Sequence, residues 1–284
     1  MMNEFELILK KAEEGDVEAM IQVAHAYAKG EGIDKDPEKA YFWYLKASDK
    51  TDENVSFVRF IDLYNLGKAE GDCLMYCKRA ADEGNALALF NLGWVHHTGL
   101  GKTLEKDPIE AARLFALSAA QGYAQAEYML GVLYYEGKGV EQDYAKAVEW
   151  LLKAAENGSV GAQYNLGCMY HNGNAVVQDD VKALEWFHKA AEKGDARAQF
   201  TLAWMYDRGR GVERDADKAF EWCQKAADQG HAEAQYNLGM AFLHGNGVAK
   251  DIDRARFWLE KAAAQEYDLA KQALKAMDDG TESV

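Results

Sequence analysis

The residue types best suited to metal or nucleophile chemistry are few in this chain, and their spacing works against both. Cys73 and Cys77 stand four apart and could share a helix face, but no matching His or Cys spacing completes a tetrahedral metal set. His96 and His97 are adjacent, which on a helix places them about 100° apart, too divergent to share one ion. Gly137-Gly139, Gly209-Gly211 and Gly245-Gly247 have the Gly-x-Gly look of a phosphate loop, yet each lacks the following Lys-Ser/Thr and follows a helical pattern, so they are read as inter-helix turns. Neither Gly-x-Ser-x-Gly nor His-Glu-x-x-His occurs. No catalytic residue, metal ligand or cofactor is expected.

The other side chains with chemistry to offer are amides and aromatics that change from one segment of the chain to the next. They stand out because the rest repeats. Ala162-Gln163-Tyr164-Asn165-Leu166-Gly167 and Tyr170 return at Ala198 to Tyr206 and at Ala234 to Phe242, a step of 36 residues. An aromatic column runs Trp43, Tyr76, Leu114, Trp150, Trp186, Trp222 and Trp258, and a leucine column runs Val23, Arg59, Leu92, Leu130, Leu166, Leu202 and Leu238. Periodicity of this length is the mark of a stacked repeat architecture.

Each unit reads as two helices. Helix A, about Val160 to His171 in the fifth unit, carries Ala162, Leu166, Gly167, Met169 and Tyr170 at helical spacing. A glycine inside a helix costs about 1 kcal/mol relative to alanine. Its return at Gly93, Gly131, Gly167 and Gly239 therefore implies close helix-helix approach. Helix B follows an Asp that recurs as Asp36, Asp107, Asp143, Asp179, Asp215 and Asp251, a preferred N-cap, and Pro37 and Pro108 occupy the first helical position behind two of them. Trp150, Trp186, Trp222 and Trp258 on helix B are expected to be core, and the column Phe90, Tyr128, Tyr164, Phe200 and Tyr236 to pack between adjacent A helices.

The expected organisation is one solenoid domain over residues 1–277, all-α and without strand, giving about 16 helical segments. It comprises an N-terminal capping helix at 3–15, repeats at about 16–51, 52–84, 85–122, 123–158, 159–194, 195–230 and 231–266, a C-terminal capping helix at 267–277 and a flexible tail at 278–284. The second repeat is degenerate, with Arg59 and Phe60 in place of Leu-Gly. The third has a longer loop around Thr98 to Asp107. Ala203 replaces the helix glycine in repeat six, and Ala175 the second loop glycine in repeat five.

The pattern A-x-x-x-L-G-x-x-Y-x-x-G-x-G-V, then D-x-x-K-A-x-x-W and K-A-A-x-x-G, resembles the Sel-1-like repeat, a relative of the tetratricopeptide repeat. One unit shows it in Gln125 to Gly131, Tyr134, Gly137-Lys138-Gly139-Val140, Asp143, Lys146-Ala147 and Trp150. The resemblance covers nearly the whole chain. It implies a right-handed superhelix with helices A lining the concave face, acting as an adaptor or scaffold for other proteins rather than as an enzyme.

Positions that recur in every repeat serve the stack, so those that vary are free to serve a ligand. Two such columns on helix A read Gln22, Val58, Asn91, Met129, Asn165, Thr201, Asn237 and His25, Ile61, Trp94, Val132, Cys168, Trp204, Met240. On a helix wheel they fall roughly opposite Leu166 and Tyr170 and should face the groove. Asn91, Asn165 and Asn237 can bond both polar groups of an extended peptide backbone, or else bond within their own repeats. Trp94 and Trp204 stand outside the main tryptophan column and suit binding anchors, with packing between A helices as the other role. Cys168 and Met240 complete the candidate set.

Charge narrows the partners. Lys plus Arg total 32 against 47 for Asp plus Glu, a formal net charge of -15, so a phosphate backbone is repelled and nucleic acid is not expected. A protein or extended peptide with basic patches fits this balance better. The start of the chain lacks a basic leader and a signal-length apolar run, and no apolar stretch approaches the roughly 18 residues that span a bilayer, so a soluble cytoplasmic protein of bacterial type is expected, without membrane insertion. An immunity protein that sequesters a toxic effector is one concrete version. A hydrolase acting on cell-wall or lactam substrates is the rival, and it would need a convergent nucleophile and base in a closed pocket.

Overall fold

A computed structural model describes residues 4–48, 70–99 and 105–279. Among these residues every regular element is a helix, 15 in all and no strand. In chain order they are α1 (Glu4–Glu13), α2 (Val17–Lys29), α3 (Pro37–Ser48), α4 (Glu70–Asp82), α5 (Ala86–Thr98), α6 (Pro108–Ala119), α7 (Ala124–Glu136) and α8 (Tyr144–Glu156). There follow α9 (Val160–Asn172), α10 (Asp180–Glu192), α11 (Ala196–Arg208), α12 (Ala216–Asp228), α13 (Ala232–His244), α14 (Ile252–Ala264) and α15 (Asp268–Asp278). The lone helices expected at the ends are α1 and α15. The first helix expected for the degenerate second repeat, with Arg59 and Phe60, falls on residues outside the described ones, as do much of the longer third loop and the tail beyond 279. The contacts divide into two compact units, residues 1–147 and 148–284.

The recurring Asp residues start helix B as the sequence implies. Asp36, Asp107, Asp143, Asp179, Asp215 and Asp251 each accept a hydrogen bond from the backbone N–H two or three residues on, at 3.0 to 3.1 Å. Such a cap contributes about 1 kcal/mol. The same Asp also closes the loop behind it: the N–H of Asp179 donates to the Tyr170 carbonyl and that of Asp215 to the Tyr206 carbonyl. In the longer third loop Asp107 makes the equivalent bond to His96, so the insertion leaves the start of helix B unchanged.

A buried glutamine column joins one helix pair to the next. Gln163, Gln199 and Gln235 are each nearly inaccessible and donate to the carbonyls of Ala155, Ala191 and Ala227, at 2.9, 3.0 and 3.1 Å, satisfying carbonyls near the end of the preceding helix B. Their free oxygens take a second bond where the second helix of the same repeat ends in a Gln: Gln229 donates to Gln199 at 2.6 Å and Gln265 to Gln235 at 2.8 Å. Lys193 stands at that place in repeat five. It donates to the Gly158 carbonyl instead, and the buried Oε1 of Gln163 has no partner.

The helix glycines mark close approach. A Cβ on Gly167 would lie 2.6 Å from the Phe187 ring, and one on Gly93 would lie 2.9 Å from the Phe115 ring. This locates the core differently from the sequence reading. Trp150, Trp186 and Trp222 are only half-buried, and their faces are covered by Lys153, Lys189 and Lys225 at 4.3, 3.9 and 4.1 Å, while Phe187, one residue on from Trp186, is 1% exposed. Among the described side chains of that column Trp43, Leu114 and Trp258 are buried. The next residue enters the core because it stands about 100° further round the helix, facing the glycine.

Ala175 has φ +65°, in the left-handed region that disfavours a Cβ. It is exposed and sits where other repeats have glycine. Ala175→Gly is therefore expected to stabilise the second unit by about 1 kcal/mol, read as a higher midpoint in urea. A lower midpoint would mean that this backbone shape is not maintained in solution.

Candidate functional site

Three of the residues singled out from the sequence come together in the second unit. Trp204 on α11 and Asn237 and Met240 on α13 line one open groove of about 800 Å³. Trp204 is 39% exposed, Asn237 is exposed and Met240 is half-buried. Two departures from the repeat lie in the groove. Where repeat five sets Phe187 against Gly167, repeat six sets Cys223 in the phenylalanine column and Ala203 in the glycine column, and both line the groove. A thiol in place of a ring leaves the floor open, and Phe200, Phe220 and Tyr236 give it aromatic walls.

Trp204 is held from the side. His171 meets it edge-on with ring centroids 5.5 Å apart, and Asp180 holds His171 by a 2.7 Å contact to Nδ1. One turn before Trp204 on α11, Phe200 stacks on His231 at 4.8 Å, and on α13 Tyr236 packs on Tyr267 at 5.4 Å. This is the packing between successive A helices expected of the aromatic column.

The other candidates lie elsewhere. Asn91 is fully buried in the first unit, and its amide donates to the Tyr41 hydroxyl at 3.4 Å, so it offers nothing to a groove surface in this conformation. Trp94 is half-buried against Phe90 and His97, with centroids at 6.3 and 5.7 Å. Asn165 and Cys168 are half-buried on α9, Cys168 against the core around Phe187. Sequence reasoning missed Cys223, Phe220, Arg208 and Arg214 as groove residues. The signal was present in the small side chain at 223, in a column that otherwise holds Tyr44, Cys77, Phe115, Leu151, Phe187 and Leu259.

The thiols do not suit nucleophilic work. Burial raises Cys168 and pushes Cys77 and Cys223 up to about 12, so these three are protonated at neutral pH. The side chain of Cys73 lies outside the described ones. Among the described residues no group of three or more His, Cys, Asp or Glu could hold a metal ion. No described helix is long and apolar enough to cross a membrane.

His231 adds a pH dependence beside the groove. Its Nδ1 accepts the Ala234 N–H at 3.3 Å as the N-cap of α13, which requires a neutral ring, and burial lowers its pKa below 6.5 against the opposing fields of Glu233 and Asp195. A group with a lowered folded pKa contributes stability that is full above the unfolded value and lost as pH falls through the folded one. Asparagine caps without titrating. The melting temperature of wild type should therefore fall more steeply than that of His231→Asn between about pH 7 and pH 5. His97 and His188, also lowered by burial, affect both proteins alike. Parallel curves would contradict the cap.

With the pairing of helices, the loop closures and the glycine contacts established, comparison with known proteins decides the family. The Sel1 repeat model matches residues 17–52, 86–123, 124–159, 160–195, 196–231 and 232–267. The chain belongs to the Sel1 repeat family. The six matched segments correspond to expected repeats one and three to seven, and the degenerate second lies between the first two matches. A Sel1 repeat protein from Oxalobacter formigenes is 32% identical with a TM-score of 0.74, over 96% of this chain and 80% of that one. The protein c5321, a protective antigen of uropathogenic Escherichia coli strains displaying the Sel1-like repeat fold, is also 32% identical, with a TM-score of 0.70 over 95% of this chain. The chain spans 58% of that antigen's length. The immunity protein Pa5087 from Pseudomonas aeruginosa is more distant, at 22% identity and a TM-score of 0.47 over 82% of this chain and 84% of that one, and carries no weight for function.

Proposed function

We propose that this Sel1 repeat chain is a protein-binding scaffold without catalysis of its own, and that it receives an extended segment of another protein across α11 and α13. One observation carries the reading: Trp204, Asn237 and Met240, which vary between repeats, converge on one open groove with aromatic walls. The groove accepts a bulky apolar side chain of the partner, and the exposed Asn237 amide, with a donor and an acceptor, bonds the partner's backbone. Trp204 is the anchor on the chain's own side, since a partly exposed tryptophan gains most from being covered. Asn91, buried against Tyr41, has no part in this surface.

Trp204→Ala combined with Met240→Ala should weaken the partner by about 30-fold or more, since anchors of this kind contribute 2 kcal/mol or more each. Helicity by circular dichroism should be unchanged. The measurement is calorimetric titration of the partner isolated by affinity capture from the source organism. Unchanged affinity in the double variant removes this groove as the binding surface.

A further inference from the structure

The groove has a rim as well as a floor, and the rim opposes the sign of the chain as a whole. Asp207, Arg208 and Arg214 all line it. Both guanidinium groups turn to the one carboxylate: Arg208 Nε lies 3.5 Å from Asp207 Oδ2, and Arg214 Nη2 lies 3.5 Å from Asp207 Oδ1. Arg214 Nε also donates to the Asp207 carbonyl at 2.9 Å, which fixes the side chain at the mouth independently of the ion pair. The two arginine side chains are 66% and 71% exposed. One carboxylate cannot neutralise two guanidinium groups, and at these distances neither pair is saturated.

The neighbouring Glu213 and Asp217 are exposed and do not line the groove. Arg210 faces Asp180 at 3.9 Å, Arg197 pairs with Asp195 at 2.6 Å, and Asp215 caps α12 and faces Lys218 at 3.2 Å. Among the residues that line the groove, Arg208 and Arg214 therefore stand against the single carboxylate of Asp207, in a chain whose formal net charge is -15.

Resting on the reading of this groove as the binding surface, the geometry points to its occupant: an acidic segment of a partner protein, in which a bulky apolar side chain enters between Trp204 and Phe220 while a neighbouring carboxylate meets Arg208 and Arg214. Guanidinium groups suit carboxylates because their paired N–H donors match the two oxygens. The overall negative charge does not oppose this. Exposed charges are screened beyond roughly 8 Å in physiological salt, so the contacts at the rim decide which segment docks even where the wider partner surface is basic.

The test uses the full chain with nitrogen-labelled tryptophan indoles and follows the Trp204 resonance, assigned from Trp204→Phe. Three N-acetylated, C-amidated pentapeptides are titrated, Gly-Asp-Phe-Asp-Gly, Gly-Ser-Phe-Ser-Gly and Gly-Lys-Phe-Lys-Gly. The acidic peptide should bind about tenfold or more tighter than the serine peptide, and the lysine peptide weakest, because a charged hydrogen bond gained at the rim is of that size. Arg208→Glu with Arg214→Glu should reverse the order, and raising salt from about 0.15 M to about 1 M should compress it. Equal binding of all three peptides, unchanged by the reversal, would overturn the acidic occupant and leave the groove standing as a binding surface. Tighter binding of the lysine peptide to wild type would also overturn it. Failure of every peptide to move the Trp204 resonance would remove the acidic occupant and count against the groove itself.

Discussion

Phe187→Ala is expected to destabilise the second unit by about 3 to 5 kcal/mol, and Trp186→Ala by about 1 to 2 kcal/mol, although tryptophan is the larger side chain. Phe187 is 1% exposed and fills the space opposite Gly167, where even a Cβ would lie 2.6 Å from its ring. Removing the ring leaves a cavity that α9 and α10 cannot close without moving toward each other. Trp186 is half-buried, and its main specific contact is the Lys189 ammonium 3.9 Å from its ring centroid, a pairing of about 0.5 to 1 kcal/mol when exposed. Urea unfolding followed by circular dichroism reads both. Equal losses, or a larger loss from Trp186→Ala, would return the tryptophan column to the core.

The second large effect concerns the loops. Gly211→Ala is expected to cost about 2 to 4 kcal/mol, combining a left-handed backbone with a clash. Gly211 has φ +68°, and a Cβ there would lie 2.4 Å from the Asp180 carbonyl oxygen and 3.0 Å from the Val181 nitrogen, backbone atoms at the start of α10. Gly247 occupies the same loop position one repeat on, at φ +75°, with nothing within 4 Å of the added carbon. Gly247→Ala should therefore show the backbone cost alone, about 1 to 2 kcal/mol. The difference between the two variants isolates the contact by which one loop rests on the preceding helix B. No difference in urea midpoint would show that this contact is absent in solution.

The sequence made legible whatever recurs. Six Asp caps act where their spacing places them, the helix glycines meet large side chains, and α1 and α15 stand where half-repeats were expected. It did not show which of two adjacent large residues enters the core. Trp186 and Phe187 differ by one step on the helix, and only the position of Gly167 on the facing helix decides between them. The candidate columns failed as uniform classes for a related reason. Asn91 and Asn237 share a column, yet Asn91 is buried because Tyr41 reaches it from another repeat, while Asn237 is exposed beside the space left by Cys223. The role of the glutamine column was also hidden. Gln163, Gln199 and Gln235 recur only in the last three repeats, where Leu89 and Glu127 stand in the two before, and their bonds to Ala155, Ala191 and Ala227 become visible only when the end of one helix pair is set beside the start of the next.

The central claim is that a partner lies against the α11–α13 groove, and site-specific photocrosslinking in the source organism tests it most directly. A photoreactive phenylalanine analogue is placed either at Asn237, exposed in the groove, or at Phe257, which is 50% exposed on α14 and is not among the groove residues. A single crosslinked protein is expected from position 237, lost when Trp204→Ala is added, and none from position 257. Crosslinking from position 257 and not from 237 would place the partner outside the groove and contradict the account.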